Sequence, residues 1–337
     1  MEEMFEEEFQ LDDLLNGPMP EQEIVQENVS EPHYKPKRAR FMLSKPTYYA
    51  LIVIFALVFV LCGIYLGGYI LETEDAENQY DMINSIFQQG MVENPTNPPV
   101  QNSGTAGGAN ASGPAQTQPP VMLPEMKPIY KLNNDLVEYL HFPNGPSINY
   151  PVVQSPYDED FYLDHQFDRS PNGQVAVGCP YVPLSCDVFE PSDNVVIYGH
   201  YLQDGGMFGK LPWFREKSYW ESHQTFRFDT LYERHTYKIF AVFKTAAAQY
   251  TEDGDIWGYP YNRINDFDSK ESFDKFIEDV KGAAFTTGGY QGYTFYDTGI
   301  TPEYGDKLLC LSTCEYTMKD PNGKTNGRLV VMAVRID

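Results

Sequence analysis

The most prominent hydrophobic pattern in the chain is an uncharged run from Tyr48 to Leu71. As a helix rising about 1.5 Å per residue, this run is long enough to cross a hydrocarbon core of about 30 Å. A cleaved signal peptide is the competing interpretation, but the run is too long for one, and no convincing small-x-small cleavage site follows it. The pattern therefore predicts one uncleaved transmembrane signal anchor over residues 48–71.

In the second half of the chain, short apolar and β-branched runs alternate with turn residues, which is the pattern of β-strands. Helical spacing predicts a short helix at Lys131–Leu140 and an amphipathic helix at Ser269–Val280, which begins with a serine and an early acid. Many strands and few helices favour a mainly β fold, a barrel or a sandwich, over a βαβ fold. The predicted strands are Ile148–Gln154, Gln174–Val177, Asn194–Tyr198, Thr225–Phe228, Thr236–Phe243, Lys307–Thr313 and Arg328–Ile336.

The charges around the apolar run predict its orientation. Residues 1–31 are acidic without Lys or Arg, five basic residues lie between Lys35 and Lys45, and acids follow directly after Leu71. Because cations remain on the cytoplasmic side of an anchor, the N-terminus is expected inside and the bulk of the chain outside.

Residues 92–120 are rich in Pro, Gly, Asn, Ser and Gln and nearly uncharged, so they cannot bury enough apolar surface to fold. The prediction is a cytoplasmic tail at 1–47, the anchor at 48–71, a disordered extracytoplasmic linker at 72–125 and a folded domain at 126–337. A stalk that reaches into a cell wall and a plain spacer both fit the linker's composition.

Composition excludes some functions. The formal net charge is −24 and the sequence pI about 4.5, and no basic face is visible, so nucleic-acid binding is not expected. The five cysteines include no paired spacing typical of zinc sites, and we predict neither a metal nor a cofactor. Cys179 and Cys186 lie outside the membrane in the predicted topology, where a disulfide between them is possible.

Three residues at strand ends are candidates for nucleophilic chemistry. Cys314 ends the apolar run that starts at Leu308, and His200 follows the strand Asn194–Tyr198. A nucleophilic thiol needs a base or a cation nearby, because the thiolate is the reactive form. Arg328 opens the last strand and carries permanently charged donors that can hold a carbonyl or a developing oxyanion, with Arg335 as its competitor.

The segments around these residues, NVVIYGHYLQDGGMFGKL, LLCLSTCEY and NGRLVVMAVRI, resemble the His, Cys and Arg motifs of the sortases, specifically class B. The similarity extends over about Tyr130 to Asp337, including the helix at Ser269–Val280, which resembles an extra helix of that class. The resemblance implies a closed eight-stranded sortase β-barrel with a few peripheral helices, preceded by the one transmembrane helix.

The resemblance also implies roles. Cys314 would attack the scissile carbonyl of a sorting signal, His200 would act as general acid and base, and Arg328 would position the substrate or stabilise the oxyanion. Ser312 and Glu315 would lie beside the substrate groove. In place of the family's usual threonine this chain has Cys310, and the segment between Glu315 and Gly327 is longer than class B predicts.

The expected function is that of a membrane-anchored, extracytoplasmic cysteine transpeptidase. Its expected partners are secreted proteins with a C-terminal sorting signal and an amine acceptor, which would be peptidoglycan or its lipid-linked precursor. Two alternatives stay open: a pilin-polymerising sortase that uses a lysine amine, and a catalytically silent surface-binding module.

Overall fold

The computed structural model describes residues 44–94, 120–246, 259–283, 294–295, 301–319 and 325–337. The chain divides into two units, Met1–Leu57 and Val58–Asp337. In the first unit the described residues from Lys45 on are helical, and all the packing discussed below lies within the second.

Helix α1 (Lys45–Glu93) contains the predicted anchor and continues well beyond it. Its most apolar 18-residue window has a mean hydropathy of 2.8 and is 0% buried, so by length and composition the helix can cross a membrane. After Leu71 the sequence turns polar, but apolar side chains recur every three or four residues on one face, as expected of a helix that packs against a domain. The buried members of this stripe are Ala76, Tyr80, Ile83 and Phe87.

Eight strands form one sheet in the order β2-β1-β4-β5-β8-β7-β3, with β6 paired to β5 off this path. Strand β3 pairs with β7 in parallel, and the other pairings are antiparallel. The strands are β1 Leu136–His141, β2 Asn149–Val153, β3 Asn194–Tyr198, β4 Thr225–Thr230, β5 Thr236–Ala246, β6 Thr294–Phe295, β7 Leu308–Lys319 and β8 Thr325–Arg335.

The sheet is not the closed eight-stranded barrel that the resemblance implied. Its end strands β2 and β3 do not pair with each other among the described residues. Single-residue bridges at Tyr181 connect them instead, in parallel to Val153 of β2 and antiparallel to Tyr198 of β3. One strand position therefore lies between the two edges, where a barrel would need a full strand.

The helices lie in the connections between the strands. They are α2 Met126–Leu132, α3 Phe161–Asp164, a 3-10 helix Leu211–Arg215, α4 Lys217–Ser222 and α5 Lys270–Glu278, with a π-helical turn at Asp279–Ala283. Helix α5 confirms the predicted amphipathic helix, because Ser269 forms a capping box with Ser272 and the apolar face is buried.

Two hydrophobic cores stabilise the second unit. The main core lies between the strands and the connecting helices and includes Val196, Leu311 and Val331. The second core forms where α1 and α2 pack on the outside of β1, with Phe87 stacked on Tyr139 at a ring distance of 3.8 Å. The C-terminal half of α1, which contains Ala76 to Phe87, is thus a structural part of the folded domain.

A buried guanidinium connects the end of α1 to the start of the domain. Arg234, in the turn between β4 and β5, donates from Nε to Glu125 Oε1 and from Nη2 to the carbonyl oxygen of Asn94, both at 2.7 Å. The Arg234 and Glu125 side chains are 5% and 0% exposed.

These contacts correct the predicted disordered linker at 72–125. Residues 72–93 are helical, and residues 120–125 are described and lie against the domain. Residues 95–119 lie outside the described residues. Both described flanks of that segment bind one arginine, so the chain positions Asn94 and Glu125 lie close together on the domain.

The predicted strands are confirmed except Gln174–Val177, which is irregular. The predicted helix Lys131–Leu140 was wrong, since α2 ends at Leu132 and β1 begins at Leu136. Strand β1 is buried on both faces, including Glu138, whose pKa burial raises well above its usual value. A short run of this kind has no alternation that would distinguish a strand from a helix.

Candidate active site around Cys314

Cys314 lies in β7, directly across from Arg328 in β8. Residues that face each other in an antiparallel pair project their side chains to the same side of the sheet, with Cβ atoms about 5 Å apart. Both side chains are half-buried. The sheet therefore places a cationic side chain beside the thiol.

His200 lies on the other flank of Cys314. The parallel pairing of β3 and β7 aligns Tyr198 with Ser312. Gly199 N continues this ladder by donating to Ser312 O at 3.1 Å, and Thr313 Oγ1 donates to Gly199 O at 2.8 Å. His200 is the next residue along the chain, and the residue after it, Tyr201, contacts Tyr316, so His200 lies alongside the part of β7 that contains Cys314.

The three residues that sequence reasoning selected thus form one row, His200–Cys314–Arg328: Cys314 and Arg328 face each other in β7 and β8, and His200 lies in the segment that follows β3 beside β7. The competitor Arg335 lies seven residues further along β8, more than about 20 Å from this row. It pairs with Tyr237 and lies near Asp337, with Nε and Oδ1 4.0 Å apart.

The imidazole of His200 is fixed by a backbone contact. Its Nε2 lies 2.8 Å from the carbonyl oxygen of Leu163 in α3. A carbonyl can only accept, so Nε2 donates in this bond, and Nδ1 is the nitrogen that can take up a proton.

Gly178 packs directly against the same ring. It has a φ of +60°, and a Cβ at this position would lie 2.8 Å from Cδ2 of His200 and 2.8 Å from the carbonyl oxygen of Tyr162. Any other residue here would be strained and would displace the histidine.

Ser312 and Glu315 lie next to the nucleophile but are buried. Ser312 is 1% exposed and its Oγ forms a hydrogen bond with the hydroxyl of Tyr261 at 2.7 Å. Glu315 is 8% exposed and forms an ion pair with Lys244 at 2.8 Å. Their predicted contact with substrate stays a prediction, and what the structure assigns to each is a structural partner beneath the site.

Three tyrosines at the site were missed by sequence reasoning. Tyr316 follows Cys314 by two residues, and burial, followed by the electrostatic effect of the nearby Cys314 sulfur, raises its pKa. Its ring contacts Tyr201, the residue after His200, at 5.5 Å between centroids. Strand alternation could have identified Tyr316. The positions of Tyr201 and Tyr261 depend on contacts between distant segments and leave no local signal.

Cys314 differs from the other cysteines of the folded domain. Burial raises the pKa of Cys186 to about 11 and raises the pKa values of Cys179 and Cys310 well above the ordinary thiol value. All three are buried, whereas Cys314 is partly accessible. Cys179 and Cys186 are both free thiols, so the possible disulfide between them is not formed.

Comparisons with known proteins bear directly on this arrangement. No family model matches the chain. Sortase B of Staphylococcus aureus (strain NCTC 8325 / PS 47) is 27% identical over 210 residues, which cover 62% of this chain and 74% of that protein. Sortase B of Listeria monocytogenes serovar 1/2a is 27% identical over 207 residues, 61% of this chain and 72% of that protein.

Solved structures show the same fold. A Staphylococcus aureus sortase B–substrate complex superimposes with a TM-score of 0.59 at 21% identity, covering 79% of this chain and 99% of that one. A Bacillus anthracis protein similar to sortase B gives a TM-score of 0.54 at 23% identity, covering 78% and 96%. Homology to curated sortases B, together with this fold, supports a class B sortase and indicates a cysteine transpeptidase.

Proposed function

We propose that this transpeptidase cleaves a C-terminal sorting signal of secreted proteins through a thioester at Cys314. It then transfers the new carboxyl end to an amine of the cell wall, supplied by peptidoglycan or its lipid-linked precursor. The observation that carries the proposal is the row His200–Cys314–Arg328, in which Arg328 of β8 faces Cys314 of β7 and His200 lies in the segment after β3 that continues beside β7. A nucleophile flanked by a proton carrier and a permanent cation is the constellation that acyl transfer requires.

In the first half-reaction the Cys314 sulfur, as thiolate, attacks the scissile carbonyl carbon. The carbonyl oxygen takes up the negative charge, which the guanidinium of Arg328 stabilises from across the strand pair. The C–N bond then breaks, and the imidazolium of His200 gives its proton to the leaving amine. The products of this half-reaction are a thioester at Cys314 and a neutral His200.

In the second half-reaction an acceptor amine attacks the thioester carbonyl. His200, now neutral, accepts the amine proton, and the sulfur leaves as thiolate when the new amide forms. The histidine thus acts first as an acid and then as a base, and the enzyme returns to its starting state without a cofactor.

The substrate would enter beside Tyr316 and Tyr201, whose rings lie at the exposed side of the row. Ser312 and Glu315, proposed as groove residues, would act on the substrate through the backbone they support, since their own side chains are paired to Tyr261 and Lys244.

We further propose that residues 48–71 of α1 anchor the protein in the cell membrane, with residues 1–47 in the cytoplasm and the catalytic domain outside. The support is the uncovered apolar part of α1 and the position of the basic cluster before it. This location would place the active site where secreted proteins and wall precursors are both present.

The proposal is tested by incubating the full-length protein in detergent with a library of sorting-signal peptides and an amine acceptor. Wild type should form a thioester at Cys314 that mass spectrometry detects and hydroxylamine releases. Cys314→Ala should abolish cleavage, and activity retained in this variant would refute the assignment.

His200→Ala and Arg328→Ala should each lower kcat/KM by at least about a hundredfold, as losses of an acid–base group and an oxyanion donor do. Arg335→Ala is the matched control, an arginine of the same strand far from the row, and should keep its activity. If the product carries the peptide on a lysine side chain of a pilin-type acceptor instead of a wall amine, the enzyme polymerises pilins.

A further inference from the structure

The buried stripe of α1 packs in one hydrophobic cluster with residues on either side of Gly178 and with Met207 in the loop after His200. Tyr80, in the middle of this stripe, is 6% exposed and is connected to His200 through two separate sets of contacts.

The first route runs through the Gly178 backbone. The hydroxyl of Tyr80 donates to the carbonyl oxygen of Gly178 at 2.6 Å, and the bond is buried. Gly178 is in turn packed against the His200 ring, where a Cβ would lie 3.1 Å from Nε2. Gly178 N is held from the other side by Asn172 Oδ1 at 3.0 Å. The surface against which the imidazole rests is therefore fixed by a residue of α1.

The second route runs through the backbone of the histidine loop. The rings of Tyr80 and Tyr150 meet edge to face, with centroids 5.2 Å apart. The hydroxyl oxygen of Tyr150 accepts a hydrogen bond from Met207 N at 2.9 Å, and Met207 holds an unusual φ of +48°. The next residue, Phe208, donates its N–H to the carbonyl oxygen of His200 at 3.0 Å.

We propose that Tyr80 is a positioning residue of the active site, through which the segment of α1 beyond the membrane anchor holds His200 beside Cys314. The inference rests on the proposed function of His200 as proton carrier. Tyr80 does not contact the reacting atoms. It acts through Gly178, which sets the ring, and through Tyr150, which sets the loop.

The physical reason is that a proton carrier must lie within hydrogen-bond reach of the groups it serves, and small displacements cost much of its effect. A misplacement of about 1 Å can lower a rate by about a hundredfold. Loss of the Tyr80 hydroxyl leaves the buried Gly178 carbonyl without its donor, and the loop can then move to recover a partner.

The test compares Tyr80→Phe with Tyr139→Phe in the full-length protein in detergent. Tyr139 lies at the same α1 interface and is also buried, but among the described residues its hydroxyl has no hydrogen-bond partner. Both substitutions remove one buried phenol oxygen from the α1 interface, and of the two hydroxyls only that of Tyr80 donates to the Gly178 carbonyl. Tyr150→Phe serves as a second variant, because it removes the acceptor of the Met207 N–H and leaves the sequence of α1 unchanged.

Two readouts separate positioning from general destabilisation. Tyr80→Phe should lower kcat for a sorting peptide by roughly tenfold while KM changes by less than about twofold, because the defect is in proton transfer and not in binding. In protein labelled with [¹³C]histidine, the ring signal that His200→Gln removes should shift in Tyr80→Phe and in Tyr150→Phe, and should not shift in Tyr139→Phe.

An unchanged kcat or an unchanged His200 signal in Tyr80→Phe would overturn the inference, as would an equal effect of Tyr139→Phe. If wild type cleaves no sorting peptide, the proposed function fails. The inference is then decided by the ring signal alone.

Discussion

Arg234 offers the strongest single test of how the domain is held together. Its guanidinium neutralises the fully buried Glu125 carboxylate and also bonds the last residue of the α1 region, Asn94. Replacing Arg234 by Met keeps most of the side-chain volume but leaves the carboxylate buried without its cation. Breaking a buried pair in this way costs about 3–5 kcal/mol, which for a domain of this size lowers Tm by about 6–20 °C.

The compensating variant makes the argument specific. In Arg234→Met combined with Glu125→Met, no buried charge is left at this position, and replacing both partners of a buried pair by apolar groups is often close to neutral. The double variant is therefore expected to recover most of the lost stability. A small loss should persist, because the carbonyl of Asn94 has lost a donor.

The assay is urea or thermal unfolding of the full-length protein in a mild detergent, followed by tryptophan fluorescence. Lys217→Met is the matched control, since its ion pair with Glu221 is exposed (75% and 55%) at 3.7 Å. That change should alter the free energy of unfolding by less than about 1 kcal/mol. A double variant as unstable as Arg234→Met alone would show that the cost does not come from the uncompensated carboxylate.

Further predictions follow from packing, accessibility and titration. Gly90→Ala should destabilise the α1 interface by about 1–3 kcal/mol in thermal unfolding, because the new Cβ would lie 2.6 Å from Cα of Glu125. At Gly67 a new Cβ meets nothing within 4 Å, so Gly67→Ala should leave the unfolding temperature unchanged. Brief treatment of the native protein with iodoacetamide should modify Cys314 and leave the buried Cys310 intact; equal modification of the two would favour the silent binding module. Burial, and then a nearby guanidinium, lower the pKa of His141 from 6.5 to about 4, so the unfolded state binds the proton first and stability falls as pH drops below about 6.5. Stability curves of His141→Gln between pH 7 and pH 4.5 should be flatter than wild type, and an equally steep curve would contradict that account.

The parts of the fold that could be predicted from sequence are those where local pattern and burial agree. Strands β3, β7 and β8 are apolar runs, and the three site candidates were predicted at their ends. Only His200 follows a strand end, because β7 continues to Lys319 and β8 already begins at Thr325. Helix α5 was predictable because its serine cap and its apolar spacing occur in the same segment. The site row could be anticipated only as three separate segments, since the pairing order that brings them together is a property of the whole sheet.

The errors have physical causes as well. Strand β1 is buried on both faces and contains Glu138, so neither alternation nor polarity marks it as a strand. The second half of α1 is acidic and polar overall, which suggested a linker, yet its stripe at Ala76, Tyr80, Ile83 and Phe87 has helical spacing that could have identified it. Average composition hid a pattern that only positional spacing reveals.

The length of α1 between the proposed anchor and the first contacts with the domain determines how far the active site lies from the membrane. Tyr80 follows the end of the apolar run at Leu71 by nine residues, a helical rise of about 14 Å. With the apolar run in the bilayer, as proposed, His200 would be held at a fixed height close to the lipid headgroups. The helix runs without a break from Leu71 to Tyr80 and so sets this height. The enzyme would therefore meet its proposed substrates at the membrane surface.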